Sequence, residues 1–553
     1  MKLILPRGCS LAVLSLACIF QAAFAAADAP KIRMNTIGYL PGREHRASIA
    51  ADCINFTVVR LKDGAKVFEA AVSGPATNSD TGELLYTADF SPLKESGEFR
   101  LEAPGVGQSP PFRIGAEVYR QPFQLVTRGM YLWRCGMAVT GTNNGSVFHH
   151  EACHTNDAWL DFVGATNTMK DGSRGWHDAG DYNKYVVNAG ITVGGMFRAW
   201  EEFGSQITKV NLGLPESGGP LPDFLAELKW ETDWLLTMQA EDGSVYHKLS
   251  TQKFGAFIMP ELETAKRFFT PWGSAATADF AAMMAMAARD FRPYNAAYAD
   301  ECLAAAKKSY EFLQTNPDNH APDQRGFSTG GYGTRDPDER LWAAAELWET
   351  TGESSVLGDL ENRIRAVQGT WDLNFDWGEV KNLGLITYLF SKRSGRDAAL
   401  VTRARDNLLT TADSIVQTAR SHGYARPLGT RYYWGGNGGV ARQTFLLQAA
   451  YRVSGKRVYR DVALDALNHL FGRNCDGRSY VTGLGYRPPM HPHDRRSGAD
   501  QVEDPWPGYL VGGPNPRATS WNDSQEDYRT NEIAINWNGA LIYALAAYLE
   551  DAP

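Results

Sequence analysis

The sequence predicts a mainly α-helical protein in which a small all-β sandwich precedes a larger helical domain. Residues 31–115 contain short runs of alternating polar and apolar residues, separated by clusters of Gly, Pro, Asn and Asp. Residues 116–553 instead carry helical periodicity with almost no strand pattern. The chain of 553 residues also exceeds the roughly 100–200 residues of a typical domain. We therefore expect two domains that meet near residue 115.

The predicted β domain contains seven short runs typical of strands. Asp63-Gly64 lies between two of these runs and is typical of a hairpin turn. Seven strands in about 85 residues indicate a small sandwich of the immunoglobulin type. Cys53 has no partner cysteine in this segment, so the disulfide of antibody domains is not expected.

The helical part contains about a dozen predicted helices. Ser274–Asp290 is rich in Ala and Met, which suits a helix packed tightly between neighbours. Gly352, Gly395 and Gly455 each follow a predicted helix and suit the left-handed position that ends one. Two concentric rings of six helices fit this pattern, and a helical solenoid or a large bundle fits it nearly as well.

The first 25 residues are predicted to be a secretory signal peptide. Lys2 and Arg7 precede the apolar run Leu11–Phe20, and Ala23–Ala25 supplies the small residues of a cleavage site. No later segment approaches about 18 consecutive apolar residues, so we expect no membrane span. The protein is therefore expected to be secreted or periplasmic.

Composition restricts the classes of partner. The net charge is −8 and no Lys/Arg cluster is present, which argues against nucleic acid. The 15 Trp and 23 Tyr suit stacking on sugar faces, although core packing explains many of them as well. Five cysteines remain after the signal peptide, and so odd and sparse a set argues against a disulfide framework. We expect a monomer with no organic cofactor.

Three loop segments carry residues suited to catalysis. Asp178 and Asp181, with small residues between them, can point into one cavity, although an Asx turn explains them alone. Glu532 precedes the last predicted helix, where a carboxylate also serves as a simple dipole partner. In Ser479–Arg495, prolines on both sides of His491 stiffen the chain, so that His493 and Arg495 can be presented as fixed donors.

These segments resemble the glycoside hydrolases of family 9, the inverting cellulase family. The segment 178–181 resembles the catalytic-base motif of that family, and Ser479–Arg495 matches its signature ending in Pro-His-x-Arg. The spacing of a second signature is met by Trp521, Asp523, Tyr528, Glu532, Ala534 and Asn538. The order of the two domains, and the opening segment Asn35–Leu40, resemble the subgroup with an N-terminal immunoglobulin-like module.

The resemblance implies an (α/α)6 toroid as the catalytic domain over residues 116–553, behind an immunoglobulin-like sandwich over residues 31–115. It also implies hydrolysis of β-1,4-glucosidic bonds in cellulose-type glucans or cellodextrins, in which water attacks with inversion. By motif, Glu532 is the general acid, Asp181 is the general base and Asp178 helps to hold the water.

The resemblance further implies where the sugar binds. His493, Arg495 and Tyr528 would contact sugar hydroxyls, and Trp377 and Trp434 would form aromatic subsites, with packing between helices as the alternative for both tryptophans. Two other functions stay open. One is an exo-acting β-glucosidase or β-glucosaminidase of the same family. The other is a non-catalytic carbohydrate-binding protein, against which the presence of both acids argues.

Two metal sites are predicted. Cys135, Cys153, His154 and His177 offer the two thiolates and two imidazoles of tetrahedral zinc, and their spacing resembles a structural zinc site of some family members. Reduced core cysteines with surface histidines are the alternative. A second segment resembles a calcium site of the family. Its candidate ligands are Thr334, Asp336, Asp338 and Glu339, whose hard oxygen atoms suit calcium. A solvated acidic helix start explains the same four residues.

Overall fold

The structure is a computed structural model that describes residues 29–549. The predicted signal peptide lies outside the described residues. Within them, antiparallel sheets form the first domain, and twelve long helices arranged in two rings form the second. The predicted fold class is therefore confirmed, and the solenoid and bundle alternatives are wrong.

The sandwich consists of nine short strands: β1 (Ile32–Arg33), β2 (Arg46–Ile49), β3 (Asn55–Arg60), β4 (Lys66–Ala71), β5 (Ser73–Thr77), β6 (Leu84–Asp89), β7 (Gly97–Ala103), β8 (Gly107–Gln108) and β9 (Phe112–Ile114). One sheet has the order β1-β2-β6-β5, and in the other β3 lies between β4 and β7, with β8 and β9 both paired to β7. The sequence pattern does not predict β5 and β8, because every residue of both strands is exposed.

Apolar side chains from both sheets fill the sandwich. Phe56, Phe90 and Phe99 are fully buried, and the ring centroid of Phe90 lies 5.4 Å from that of Phe112. Burial of several aromatic rings contributes most of the stability that a domain of this size can obtain. Cys53 makes no disulfide, as expected.

The helical domain contains α1 (Arg120–Leu132), α2 (Val186–Ile207), α3 (Asp223–Thr237), α4 (Ser274–Phe291), α5 (Ala296–Thr315), α6 (Pro337–Thr351), α7 (Ser354–Ala366), α8 (Lys381–Phe390), α9 (Ala398–Ser421), α10 (Gly436–Ser454), α11 (Arg457–Leu470), the single turn α12 (Tyr528–Asn531) and α13 (Ile535–Ala546). Its short strands are β10 (Val139–Asn143), β11 (Ser146–His150), β12 (Lys184–Tyr185), β13 (Lys248–Thr251) and β14 (Arg267–Phe269). A 3-10 turn spans Pro260–Leu262.

The inner ring is formed by α2, α4, α6, α8, α10 and α13. Helix α13 contacts α2 and α10, and α4 contacts α2 and α6. Eleven of the eighteen α4 residues are Ala or Met, and all eleven are buried. Small and flexible side chains suit a helix that is packed tightly between others. The outer helices α1, α3, α5, α7, α9 and α11 pack against this ring. Among residues 29–549, no helix combines the length and the apolar character that a bilayer span requires.

Two of the three predicted glycine stops are confirmed. Gly352 and Gly455 follow α6 and α10 with φ of 75° and 70°, and the N–H of each returns to a carbonyl of the last helical turn. The prediction for Gly395 is wrong, because α8 already ends at Phe390. Gly395 has a φ of 96° within the following loop.

Helices α1 and α7 and the start of α10 escape sequence prediction. Helix α1 contains Pro122 and Gly129, and α7 buries only four of its thirteen residues. The first turn of α10 carries Gly438 and Gly439, which have poor helix propensity. A Cβ at Gly438 would lie 2.4 Å from the Trp537 ring. Tertiary packing therefore requires glycines at a helix start that their propensity disfavours.

The sandwich packs against residues 422–432 of the helical domain. Arg33 forms a salt bridge of 2.8 Å with Glu83, and the Tyr424 hydroxyl also donates to Glu83. Asp80 accepts hydrogen bonds from His422, at 3.0 Å, and from the Tyr432 hydroxyl. Tyr432 lies two residues before Trp434, one of the predicted subsite residues.

Candidate active site

The loop that carries Asp178 and Asp181 is buried and fixed on several sides. The backbone N–H of Trp176 donates to Glu231 at 2.6 Å, and that of His177 donates to the Trp133 carbonyl at 2.8 Å. The carbonyl of Asp178 accepts from the N–H of Ile535 at 2.9 Å, at the start of α13. The loop is thereby joined to the helix that follows Glu532.

Both carboxyl oxygens of Asp178 accept hydrogen bonds. The Asn188 amide donates to Oδ1 and the Tyr332 hydroxyl donates to Oδ2, each at 2.7 Å. The side chain is buried, and burial together with repulsion from Asp181 raises its pKa to about 8. Asp178 is thus held in one orientation beside the second carboxyl group.

Asp181 is oriented by two neighbours in sequence. The Asn183 amide donates to Oδ2 at 2.6 Å, and the Tyr185 hydroxyl donates to the same atom at 3.2 Å. Asn183 is itself fixed, because its Oδ1 accepts from the Thr251 N–H of β13 at 2.9 Å. Burial raises the pKa of Asp181, while the positive charge of Arg495 and the Asn183 hydrogen bonds oppose that rise.

His493 brings the Asp181 loop and Glu532 together. A Cβ at Gly180 would lie 2.2 Å from the His493 carbonyl oxygen, so only glycine permits this contact. The His493 N–H donates to the Asn531 carbonyl at 2.8 Å, and the backbones of His493 and Glu532 pair as a parallel bridge. The three segments singled out in the sequence therefore meet at one place.

Glu532 lies between α12 and α13 and is partly buried. Desolvation raises its pKa well above the usual value, and repulsion from Asp181 and Asp178 raises it further. A hydrogen bond from the Trp434 side chain and the charge of Arg495 oppose the shift. The three carboxyl groups thus influence each other, and burial and mutual repulsion favour the protonated form of Glu532.

Arg495 and the aromatic residues border these carboxyl groups. The backbone N–H of Arg495 donates to the Gly180 carbonyl at 3.2 Å. Trp434 and Tyr528 are 51% and 40% exposed, with ring centroids 5.4 Å apart, and Tyr528 lies 6.0 Å from the His493 ring. These partly exposed rings offer faces on which a sugar can stack.

Trp377 occupies a different position from Trp434. Its ring contacts Tyr332 edge-on at 5.2 Å, and Tyr332 in turn donates to Asp178. Trp377 is thus linked to Asp178 through Tyr332, and it also packs against the core of the helical domain. Its role as a subsite stays a prediction.

The four predicted zinc ligands converge. One ligand atom from each of Cys135, Cys153, His154 and His177 lies within 4.8 Å of the other three. Cys135 Sγ is 3.8 Å from His154 Nδ1, and Cys153 Sγ is 3.6 Å from His177 Nε2. Ligand atoms about 2.0–2.3 Å from a tetrahedral zinc lie about 3.3–3.8 Å apart, so the donor set fits this metal. Both histidine side chains are buried beside the cysteines rather than on the surface, with His177 at 0% and His154 at 3% exposure. Zinc itself stays a prediction.

The predicted calcium ligands do not converge in the same way. Asp336 forms a salt bridge of 2.7 Å with Arg340, and Asp338 accepts from the Val380 N–H at 2.6 Å. Both carboxyl oxygens of Glu339 are buried without a hydrogen-bond partner. Within residues 29–549, the zinc set is the one cluster of three or more such ligands. Calcium stays a prediction.

Sequence reasoning misses several residues that orient the site. Asn183, Asn188, Tyr185 and Tyr332 donate to the two aspartates, and Glu263 contacts Arg495. Asn183 and Tyr185 adjoin the Asp178–Asp181 segment, so proximity to the motif could have indicated them. Glu263 and Tyr332 carry no local signal, because their loops reach the site only through the tertiary fold.

Both parts of the chain match known protein families. The model of glycosyl hydrolase family 9 matches residues 119–545, and that of the cellulase N-terminal ig-like domain matches residues 27–108. Endoglucanase D from Acetivibrio thermocellus is 56% identical over 522 residues, which cover 94% of this chain and 83% of that protein. A cellodextrinase from Butyrivibrio fibrisolvens is 32% identical over 557 residues, which cover 94% of this chain and 100% of that protein.

A solved structure agrees as well. The crystal structure of a metagenome-derived glycoside hydrolase family 9 endoglucanase superposes with a TM-score of 0.88 at 33% identity, covering 94% of this chain and 98% of that chain. The family models, the relatives and the shared fold lead to one conclusion. The chain belongs to glycoside hydrolase family 9.

Proposed function

We propose that this protein hydrolyses β-1,4-glucosidic bonds in cellulose-type glucans or cellodextrins, with inversion at the anomeric carbon. Membership of family 9 and the endoglucanase and cellodextrinase relatives support the reaction. The observation that carries the assignment to residues is the meeting of Asp178, Asp181 and Glu532 at one site with different electrostatic surroundings.

Glu532 is the general acid in this proposal. An acid must keep its proton until it transfers it to the departing glycosidic oxygen. Burial and the negative charges of Asp181 and Asp178 favour the protonated form of Glu532. Its position beside the exposed rings of Trp434 and Tyr528 supports access to a bound sugar.

Asp181 is the general base. A base must be ionised in order to activate water, and Arg495 and Asn183 both stabilise the ionised form of Asp181. Asp178 helps to hold the water, since its carboxyl group is fixed beside Asp181 by Asn188 and Tyr332. Water then attacks the face of the sugar opposite the departing oxygen, which produces inversion.

Sugar binding rests on His493, Arg495 and the nearby aromatic residues. His493 lies against Gly180 on one side and Tyr528 on the other, within reach of a sugar at the cleavage point. Trp434 and Tyr528 supply stacking faces, and Trp377 lies on the Tyr332 side of the same site. A product profile on cellohexaose, compared with xyloglucan and chitosan oligomers, would separate endo-acting, exo-acting and glucosaminidase activities.

Two substitutions test the catalytic assignment. Glu532→Gln and Asp181→Asn should each lower kcat on cellopentaose by about three orders of magnitude or more while the circular-dichroism spectrum is preserved. Glu526→Gln and Asp171→Asn are matched controls, because these exposed carboxylates lie in the same two loops and contact Ser524 and Ser173. Substantial activity in Glu532→Gln or in Asp181→Asn would overturn the assignment. So would a product of the unmodified enzyme whose anomeric configuration, followed by NMR, is retained.

Zinc is proposed to be a structural component of the same loop. Cys135, Cys153, His154 and His177 would hold it, and the mutual distances of their ligand atoms support this. When bound, zinc supplies cross-linking and no step of the hydrolysis. Because His177 directly precedes Asp178 in the chain, the metal would fix the start of the Asp178–Asp181 loop.

Secretion is also part of the proposal. The support is the N-terminal sequence, in which the basic residues Lys2 and Arg7 precede an apolar run and a small-residue cleavage site. Export suits an enzyme whose polymeric substrate lies outside the cell. N-terminal sequencing of the protein from the culture medium and from the periplasm would show whether residues 1–25 are removed and where the mature chain resides.

A further inference from the structure

The buried carboxylate of Glu263 lies between the predicted metal centre and the cleft, which is the proposed sugar-binding region beside Arg495, Tyr528 and Trp434. Glu263 follows the 3-10 turn Pro260–Leu262, and its side chain is only 3% exposed. One oxygen, Oε2, lies 3.3 Å from His154 Nε2, and the other, Oε1, lies 3.3 Å from Arg495 Nη1. The two oxygens of Glu263 are thus divided between a predicted zinc ligand and a predicted sugar-binding residue.

On the metal side, the two ring nitrogens of His154 have separate roles. Nδ1 faces Cys135 Sγ at 3.8 Å, while Nε2 faces Glu263. A metal-binding histidine commonly directs its second nitrogen to a carboxylate, which fixes the tautomer and the orientation of the ring. Glu263 is placed to do this for His154.

On the cleft side, Arg495 is buried and has few other partners. Its side chain is 6% exposed, and its guanidinium lies 5.4 Å from the centre of the Tyr182 ring. The backbone N–H of Arg495 donates to the carbonyl of Gly180, the residue directly before Asp181. A guanidinium that loses its carboxylate partner also loses the acceptor that orients its planar fork, while the Tyr182 and Phe254 rings continue to flank it.

We propose that Glu263 is a positioning residue that couples occupancy of the metal site to the orientation of Arg495 in the cleft. The inference rests on the proposed function, because it takes Arg495 to contact the sugar. Glu263 itself touches neither the sugar nor the metal. Its two oxygens make the orientation of His154 and the orientation of Arg495 depend on each other.

Glu263→Gln is the most informative substitution because it preserves the shape of the side chain. A carboxylate offers acceptors to both donors, whereas an amide offers one acceptor and one donor. One of the two contacts must therefore be lost. Glu151→Gln is the matched control, since Glu151 also lies close to the metal ligands in sequence. Its side chain is 71% exposed, and among the described residues that side chain pairs with His149.

The first measurement is the rate at which zinc passes to a chromophoric chelator. Glu263→Gln should release zinc about tenfold faster than the unmodified protein, because partners behind metal ligands typically change metal affinity by 10–100-fold. Glu151→Gln should release it at the unmodified rate. The same Glu263→Gln protein, loaded with zinc, should show a raised KM for cellopentaose with a smaller change in kcat, as expected when sugar positioning is impaired.

The second measurement tests the coupling directly. In the Glu532→Gln background, which is expected to bind sugar without cleaving it, saturating cellopentaose should raise the zinc affinity measured by equilibrium competition with the chelator, because coupling between the binding equilibria of two sites is reciprocal. The Glu532→Gln, Glu263→Gln double variant should lose this effect. Arg495→Lys in the same background should also speed zinc release, which covers the case in which Glu263→Gln fails to fold.

The outcomes separate this inference from the proposed function. Calorimetry first establishes that cellopentaose binds to Glu532→Gln. If the sugar then leaves zinc affinity unchanged, and Glu263→Gln and Arg495→Lys leave zinc release unchanged, the coupling is wrong while the proposed function stands. If Glu532→Gln keeps full activity, the proposed function fails instead. Faster zinc release in Glu263→Gln together with loss of the sugar effect supports the coupling.

Discussion

Gly180 and His493 are packed so closely that a Cβ on residue 180 would lie 2.2 Å from the His493 carbonyl oxygen. His493 is paired through its backbone with Glu532, and Gly180 directly precedes Asp181. The separation of the two proposed catalytic carboxyl groups therefore depends on a backbone contact that only glycine permits.

Substitution of this glycine should impair catalysis. Gly180→Ala must push the Asp181 loop away from His493, and a displacement of about 1 Å can cost about 100-fold in rate. We expect kcat/KM on cellopentaose to fall by at least that factor and the melting temperature to fall as well. Gly358→Ala in α7 is the control, because a Cβ there meets nothing within 4 Å. Unchanged kcat/KM in Gly180→Ala would show that the contact is not needed.

The indole N–H of Trp434 should set the upper pH limit of activity. Its hydrogen bond to Glu532 stabilises the carboxylate and opposes the raised pKa. Trp434→Phe keeps an aromatic face but removes the donor, so the pKa of Glu532 should rise. Since activity requires protonated Glu532, the alkaline limb of the kcat profile should move to higher pH. Trp377→Phe should leave this limb in place, and an unmoved or lowered limb in Trp434→Phe would contradict the assignment of Glu532.

Metal analysis tests the zinc centre. Protein purified without chelator should contain about one zinc per chain, and Cys135→Ser should lose most of it and melt at a lower temperature, because metal binding contributes to folding free energy. Cys53→Ser, in the sandwich, should retain the metal. Protein free of zinc after such a preparation would rule out the centre formed by Cys135, Cys153, His154 and His177.

The contact between the domains should contribute less to stability at acid pH. Burial would raise the pKa of Asp80, but hydrogen bonds from His422 and Tyr432 outweigh it and lower the pKa to about 2. Because this folded-state pKa lies below the unfolded value of about 3.9, the contribution of Asp80 to stability is present above pH 4 and is lost as pH falls toward 2.

Asp80→Asn should therefore show a shallower loss of melting temperature between pH 4 and pH 2 than the unmodified protein. Asp406→Asn should reproduce the unmodified profile, since the Asp406 side chain is exposed and, among the described residues, is paired with the neighbouring Arg405. Identical slopes for Asp80→Asn and the unmodified protein would show that this carboxylate does not contribute.

Local sequence patterns determined the two domains, most of the helices and the segments that carry the catalytic residues. The alternation in residues 31–115 and the Ala/Met composition of α4 are local signals, because strand and helix periods are properties of neighbouring residues. The motif around Asp178 and the segment ending at Arg495 were recognisable through their resemblance to motifs of glycoside hydrolase family 9. The predicted zinc ligands were recognisable from their chemical type and spacing.

The tertiary structure alone decided how these segments meet. The glycines at the start of α10 are helical because Trp537 packs against them, which overrides propensity. Tyr332 and Glu263 become parts of the site because distant loops place them beside Asp178 and Arg495. The pKa shifts of the carboxyl groups arise from burial and from charges that are remote in sequence. Such contacts depend on the packing of the whole chain, whereas sequence patterns report only on neighbours.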